Sequence, residues 1–493
     1  MSIWSTKSVA LMHADAYGER KNKLNRSLGW PSLTAFGVGS TIGAGIFVLT
    51  GQVAATHAGP AVTLTFIAAS IVCFFAGLCY AEFAAMAPVA GSAYSYAYAT
   101  MGEVVAWIIG WCISLEYVFS ASLVAISWSG YMTASLHDIG INIPAVLSSA
   151  PLKLDMQDRI VSTGNWIDLP AVLVTLGCTV LLMIGTRQSS WVNNLIVAAK
   201  VTALVIVVIV GVHYINPHNW QPFVPANTGG FGNFGWSGVA RGAAIVFFSY
   251  IGFDAVSCLA EESKNPQRTM PISLFASLAI CTTVYVAVSL VITGMANYRS
   301  LDVADPLYYA VASVHGQLGW LKIILAVVAG FGLISVVLLS LLGQVRILFA
   351  MSRDGLLPEA LSRTGGKQNT PRLSTLITGV LGAVMAGFLP LDLLTDVISI
   401  GTLMAFAIVC LGIPILRRTN PDAQRPFRTP WVPLIPILGV LSCIALMFSL
   451  SGRTWLRFAL WLLIGLAIYF SYGYKHSRLR KLNAAAAGKP ASA

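Results

Sequence analysis

Glycines cluster where a long apolar stretch should be most regular. In Gly37-Val38-Gly39-Ser40-Thr41-Ile42-Gly43-Ala44-Gly45-Ile46-Phe47 they fall near the middle of the first apolar segment. A helix crossing a bilayer must satisfy its own backbone hydrogen bonds, because hydrocarbon offers none. Glycine is the poorest helix former after proline, so this run is expected to unwind and leave N–H and C=O groups free. Such groups persist at mid-depth only where they line a cavity or hold a ligand. A second interruption, Ser249-Tyr250-Ile251-Gly252-Phe253-Asp254, falls in the sixth apolar segment. Free N–H groups at the start of a half-helix favour an anion, and unwound carbonyls favour a cation. The amides of Gly43 and Gly45 suit a carboxylate, and the carbonyls around Phe248, Ser249 and Ile251 suit an ammonium. Side by side, the two breaks suit a zwitterion, which makes an α-amino acid the expected ligand. Taken alone, Gly39-x-x-x-Gly43 also reads as a close helix-packing motif. No strand precedes it, which argues against a phosphate loop.

Ionisable groups inside apolar spans are costly, so each needs a reason. Lys200 lies about ten residues, or ~15 Å, into the fifth span, near the middle of a ~30 Å core. It reads either as a lysine snorkelling to an interface or as a group that gains and loses a proton during transport; its ammonium could also stand in for a bound sodium ion. Glu116 lies in the third span and reads either as a structural carboxylate paired with backbone or hydroxyl, or as a proton site. The spacing leaves open whether Lys200 and Glu116 pair. Asp254 ends the second break, where it could cap the freed N–H groups or join a substrate or proton network. Glu82, Glu261 and Glu262 are expected in interfacial ion pairs.

The elements that must position these residues follow from composition. The chain of 493 residues is 56% hydrophobic and only 10% charged, against roughly 25% charged in soluble domains, so an all-α polytopic membrane protein is expected. Apolar spans are read at about 31–53, 60–87, 103–134, 168–185, 191–214, 238–260, 270–297, 319–350, 373–390, 392–416, 431–451 and 455–474, each near or above the roughly 20 residues a crossing needs. Twelve crossings put both tails on one side. The N-tail holds five of the 30 Lys and Arg, the even-numbered loops twelve and the C-tail five, against seven on the opposite side. The positive-inside rule then makes both termini cytoplasmic. The net charge of +11 is thus topological, with some attraction to anionic lipid, and does not indicate nucleic acid. No cleavable signal peptide is read in the first 26 residues. The eight cysteines form no CxxC and are expected to pack as small hydrophobes. No cofactor or metal motif is seen, and no nucleophile–base spacing that would indicate an enzyme. The alanine-rich tail from Asn483 to Pro490 is expected to be disordered.

Each five-span block opens with a glycine-interrupted helix. Five is odd, so the second block enters the bilayer inverted, the plan of secondary transporters. The expected organisation is a cytoplasmic tail (1–30), a first repeat (31–214), an inverted second repeat (238–416), two extra spans (431–474) and a cytoplasmic tail (475–493).

Several motifs resemble the amino acid–polyamine–organocation superfamily, and within it a bacterial member of the cationic amino acid transporter family. They are the glycine run through Leu49, Ala58-Gly59-Pro60, Cys79-Tyr80-Ala81-Glu82-Phe83, Gly91-Ser92-Ala93-Tyr94, Gly252-Phe253-Asp254 with Glu261-Glu262-Ser263-Lys264-Asn265-Pro266-Gln267, Arg353-Asp354-Gly355-Leu356-Leu357 and Ser399-Ile400-Gly401-Thr402-Leu403. The resemblance implies a leucine-transporter-type fold of five-plus-five inverted repeats. It implies substrate held by the backbone of Ile42, Ala44 and Gly45, and by Phe248, Ser249, Ile251 and Asp254. Lys200 matches a lysine that occupies the sodium position and serves proton coupling in bacterial relatives, and Glu116 matches an acid of bacterial members. Ser340 resembles a small serine of animal cationic transporters that leaves room for a long side chain; it also reads as a packing serine.

The leading expectation is proton-coupled amino acid symport by alternating access in the plasma membrane, with cationic or small neutral amino acids as substrates. An amino acid or polyamine antiporter and a non-transporting amino acid sensor are the competing readings. Nothing resembles a channel filter.

Overall fold

The structure is a computed structural model that describes residues 4–7, 28–86, 92–155, 159–184, 190–314, 318–365 and 370–486. Most of the expected N-terminal tail, Gly91, Arg187, Lys367 and Lys489 lie outside the described residues, as do the side chains of Glu261 and Glu262.

The α-helices of seven or more residues are α1 (Trp30–Thr41), α2 (Val62–Met86), α3 (Ser92–Thr100), α4 (Glu103–Asp138), α5 (Leu169–Ile184), α6 (Ser190–Gly211), α7 (Gly235–Val246), α8 (Pro266–Met295), α9 (Pro306–Ala312), α10 (Gly319–Arg353), α11 (Arg372–Phe388), α12 (Leu391–Thr419), α13 (Leu434–Ser449), α14 (Gly452–Ile468) and α15 (Arg478–Ala486). Proline sits in the first turn of α1, α8 and α9, where its missing N–H costs nothing. Among the described residues, eight helical stretches are long and apolar enough to cross a membrane, and three shorter apolar helices accompany them. The chain is a multi-pass membrane protein. Its exposed large hydrophobic side chains, such as Leu173, Ile209, Ile323 and Leu463, sit on the outer helix faces, as lipid contact requires.

The helices match the apolar spans read from the sequence closely. Four features depart from that reading. Helices α3 and α9 lie between spans. A two-stranded antiparallel hairpin, Leu152–Leu154 against Ile160–Ser162, sits in the loop between α4 and α5, so the chain is not strictly all-α. Helix α15 runs to Ala486, so the first residues of the alanine-rich tail are helical. The described parts of the two tails are also tied down. The Lys7 ammonium reaches Asp354 Oδ1 at 3.2 Å, and Arg480 Nε donates to buried Glu103 at 3.0 Å.

Helices α4 and α10 form the most extensive helix pair. They run antiparallel in register: Gly343 leaves room for the Tyr117 ring, and Trp128 Nε1 donates to Gly330 O at 3.0 Å. On the side away from residues 4–7, polar contacts join α7, α12 and α14. Arg241 on α7 donates to Asp396 on α12 at 2.7 Å, and Thr454 Oγ1 donates to the same oxygen at 2.8 Å. Asp396 is 3% exposed. Asp396→Ala leaves the Arg241 charge buried without its acid and is expected to cost about 3–5 kcal/mol. A melting temperature equal to that of the wild type would show that the pair contributes nothing.

Candidate functional site

The first break lies where the glycine run placed it. Helix α1 stops at Thr41, and Ile42 is extended (φ −75°, ψ 95°). The chain resumes as a wide π-type turn over Gly45–Leu49. The second break follows α7. A 3₁₀ turn over Phe247–Tyr250 leads to extended Ile251, Gly252 at φ +112°, and a second 3₁₀ stretch over Asp254–Glu262. Gly252 is needed twice: its φ is left-handed, and a Cβ there would stand 2.9 Å from the Ser40 carbonyl carbon. The two breaks touch. Ser40 Oγ donates to Gly252 O at 3.0 Å, and a Cβ on Gly45 would meet Ser249 Oγ at 2.2 Å.

The freed carbonyls are mostly satisfied from within the protein. Lys200 on α6 donates to Gly39 O at 3.0 Å and Ile42 O at 3.1 Å, and it is 1% exposed. This position, at the buried C-terminal end of a half-helix, is where a cation is favoured. Gly332 on α10 makes room for the lysine stem, since a Cβ there would stand 2.9 Å from Lys200 Cε. The Tyr285 hydroxyl on α8 bridges the breaks, with distances of 2.9 Å to both Thr41 O and Ser249 O. Asp254 Oδ1 accepts from Gly252 N–H at 3.3 Å, so its carboxylate caps the break. Glu116, 3% exposed, accepts from Thr402 Oγ1 on α12 at 2.8 Å. Lys200 and Glu116 do not pair.

A cavity enclosing about 900 Å³, open mouth included, begins at the two breaks and runs between α1, the second break, α4 and α10. Its lining reaches Phe36, Leu259, Arg346 and Ile347, on the side that carries residues 4–7. Of the residues expected at the site, Gly43, Ala44, Phe248, Ile251 and Ser340 line it. Ile42, Gly45, Ser249 and Asp254 stand behind this lining. The Ile42 backbone is engaged on both sides, its N–H by Val38 O and its carbonyl by Lys200. The Ser249 carbonyl lies 2.9 Å from the Tyr285 hydroxyl, which it shares with Thr41 O, and the Phe248 carbonyl accepts from Ile251 N–H, so each already has a partner within the protein. The Ser249 hydroxyl is buried without a partner.

Sequence reasoning missed Tyr285, Gly332, Tyr117, Ser120 and Arg346. Only Tyr285 carried a signal, because a tyrosine deep in an apolar helix needs a hydrogen-bond partner. Among the described residues lining the cavity, Arg346 is the only charged side chain. The seven described cysteines have free thiols, and Glu82 sits in the expected ion pair, bidentate with Arg417 at 3.1 and 2.7 Å.

Comparison with known proteins decides which family this arrangement serves. The model of the amino acid permease family matches residues 28–470. The chain belongs to that family. It is 43% identical over 480 residues to the methylthioribose transporter of Bacillus subtilis (strain 168), covering 97% of this chain and 100% of that protein. It is 42% identical to the branched-chain amino acid permease BcaP of the same organism, covering 97% and 99%. It is 32% identical to cationic amino acid transporter 4 of Homo sapiens, over 93% of this chain and 88% of that one. These matches bear out the membership that the motifs indicated.

Proposed function

We propose that this permease is a proton-coupled L-amino acid symporter of the plasma membrane that works by alternating access. Twelve crossings, with two inverted repeats at 31–214 and 238–416 and two further spans at 431–474, would carry the site, and both tails (1–30 and 475–493) would be cytoplasmic. The observation that carries the reading is the cavity at the meeting point of two broken helices, with an ammonium held at the end of one half-helix. Gly43 and Ala44 would receive the substrate carboxylate, with Gly45 behind them holding the break against Ser249. Phe248 and Ile251 would flank the ammonium end, and Asp254 would hold the second break open. Lys200 would carry the coupled proton. Its release of Gly39 O and Ile42 O would let the first half-helix move. Glu116 would support α4 against α12 beside the route.

A neutral substrate is favoured over a cationic one. No described acidic side chain lines the cavity, and Arg346 at its mouth is positive. A second ammonium on the substrate would be desolvated there without a partner. The names of the two Bacillus subtilis relatives point the same way, as neither names a cationic substrate. The cavity lining reaches exposed Arg346 on the side assigned to the cytoplasm, so this conformation would be the one that releases substrate inside.

Ser340→Met fills the cavity with a thioether. It is expected to weaken large neutral substrates about tenfold, in line with a 1–3 kcal/mol overpacking cost, while sparing alanine. Unchanged competition by leucine would show that the substrate side chain does not pass Ser340. Purified protein reconstituted into liposomes tests the class. A symporter takes up amino acid without internal counter-substrate, an antiporter requires it, and a sensor binds without moving it.

A further inference from the structure

The side-chain end of the cavity carries a hydroxyl that the protein itself does not use. Serines in membrane helices usually return their hydroxyl to a carbonyl one turn back. On α4, Ser122, Ser127 and Ser135 do so, to Val118 O, Leu123 O and Tyr131 O at 2.8–2.9 Å. Ser120, on the same helix, does not. Its residue is 6% exposed, and its Oγ is buried without a hydrogen-bond partner. Ser114 shares that lack, but only Ser120 lines the cavity. The α4–α10 register, fixed by Tyr117 on Gly343 and Trp128 on Gly330, puts Ser120 and Ser340 at one level, a turn from the first of these contacts. Val124 and Val336 line the next turn, and a Cβ on Gly43 would stand 3.4 Å from Val336 Cγ1. From the glycine end toward Arg346, the lining passes from the backbone cradle to an apolar collar and then to Ser120, whose Oγ no described group of the protein claims.

We infer that Ser120 Oγ is a specificity-determining partner for a hydroxyl on the substrate side chain, so that the site takes a neutral hydroxy-amino acid such as threonine in preference to its isostere valine. The inference rests on the amino acid reading of the same cavity. A buried unpartnered hydroxyl costs free energy that a ligand of matching polarity recovers. A site built to bond a hydroxyl rejects the analogue lacking it far more strongly than an apolar pocket rejects a changed methyl group. Threonine and valine have the same shape, so size cannot produce a difference between them.

The experiment is a thermal-shift titration of the purified full-length protein with L-threonine, L-valine and L-alanine, since a binder stabilises the fold in proportion to its saturation. Threonine is expected to half-saturate at a concentration about tenfold below valine, as one buried hydrogen bond provides. In Ser120→Ala that preference is expected to disappear or invert, with alanine binding retained. Ser120→Cys, a weak donor of similar size, serves if the alanine variant fails to fold, and is expected to lose most of the preference. Valine binding as well as threonine in the wild type overturns the inference, as does a threonine preference that survives both substitutions. If alanine binds in either case, the amino acid reading stands and only the role of Ser120 falls. If no amino acid shifts the melting temperature, both fall.

Discussion

Lys200→Ala is expected to abolish gradient-driven accumulation of substrate, with the rate falling by a factor of about 100 from loss of two charge-assisted hydrogen bonds. The ammonium holds Gly39 O and Ile42 O, two carbonyls that the break in α1 deprives of helical donors. Without it, both carbonyls are buried and unpaired, and no titratable group remains at the end of the half-helix. Counterflow exchange is expected to survive in part, because the cavity lining does not include Lys200. The measurement is uptake by proteoliposomes with and without an inward proton gradient, run beside counterflow. Lys200→Met is the control for packing, since it keeps a flexible stem against Gly332 while removing the charge. Undiminished accumulation in either variant would sink the assignment of Lys200 to coupling.

Gly45→Ala is the second substitution with a large expected effect. A Cβ at this position would stand 2.2 Å from Ser249 Oγ, 2.4 Å from its Cβ and 2.5 Å from its Cα. The last of these is backbone, which cannot rotate away, so the two broken helices must separate. Overpacking of this kind costs about 1–3 kcal/mol or more, and here it falls on the junction that shapes the cavity. Substrate affinity is expected to drop at least about tenfold. The double variant Gly45→Ala/Ser249→Gly removes the side-chain clashes but leaves the new methyl group pressed against the backbone at position 249, so it is expected to recover only part of the loss. Thermal-shift titration measures both, and full affinity in the single variant would show that the breaks need not touch.

Local signals made the helices and the breaks legible. Long apolar runs marked the spans, and glycine at mid-run marked both interruptions, because the physics of an unsatisfied backbone in hydrocarbon acts on a few neighbouring residues. Lys200 and Glu116 were conspicuous for the same reason: a charge in an apolar run needs a partner. Which partner each takes was not legible. Lys200 finds carbonyls 158 and 161 residues away, and Glu116 finds Thr402 across 286 residues. Nothing in the local pattern distinguishes those partners from a direct Lys–Glu pair. Tyr285, which bridges both breaks, sits in a helix whose apolar sequence reads as plain lipid-spanning. Ser120 is one serine among several on α4, and only the facing of that helix toward the cavity sets it apart. The sequence leaves Asp254 open to a capping or a network role, and its hydrogen bond with Gly252 N–H is local.

The most direct test of the central claim is proton movement driven by substrate. Proteoliposomes containing the purified protein and a pH-sensitive dye, held at zero initial gradient, are given an external neutral L-amino acid identified by thermal shift. Internal acidification that accompanies uptake, and that is absent in Lys200→Ala, is the expected result. Uptake of the amino acid with no change in internal pH would contradict the account.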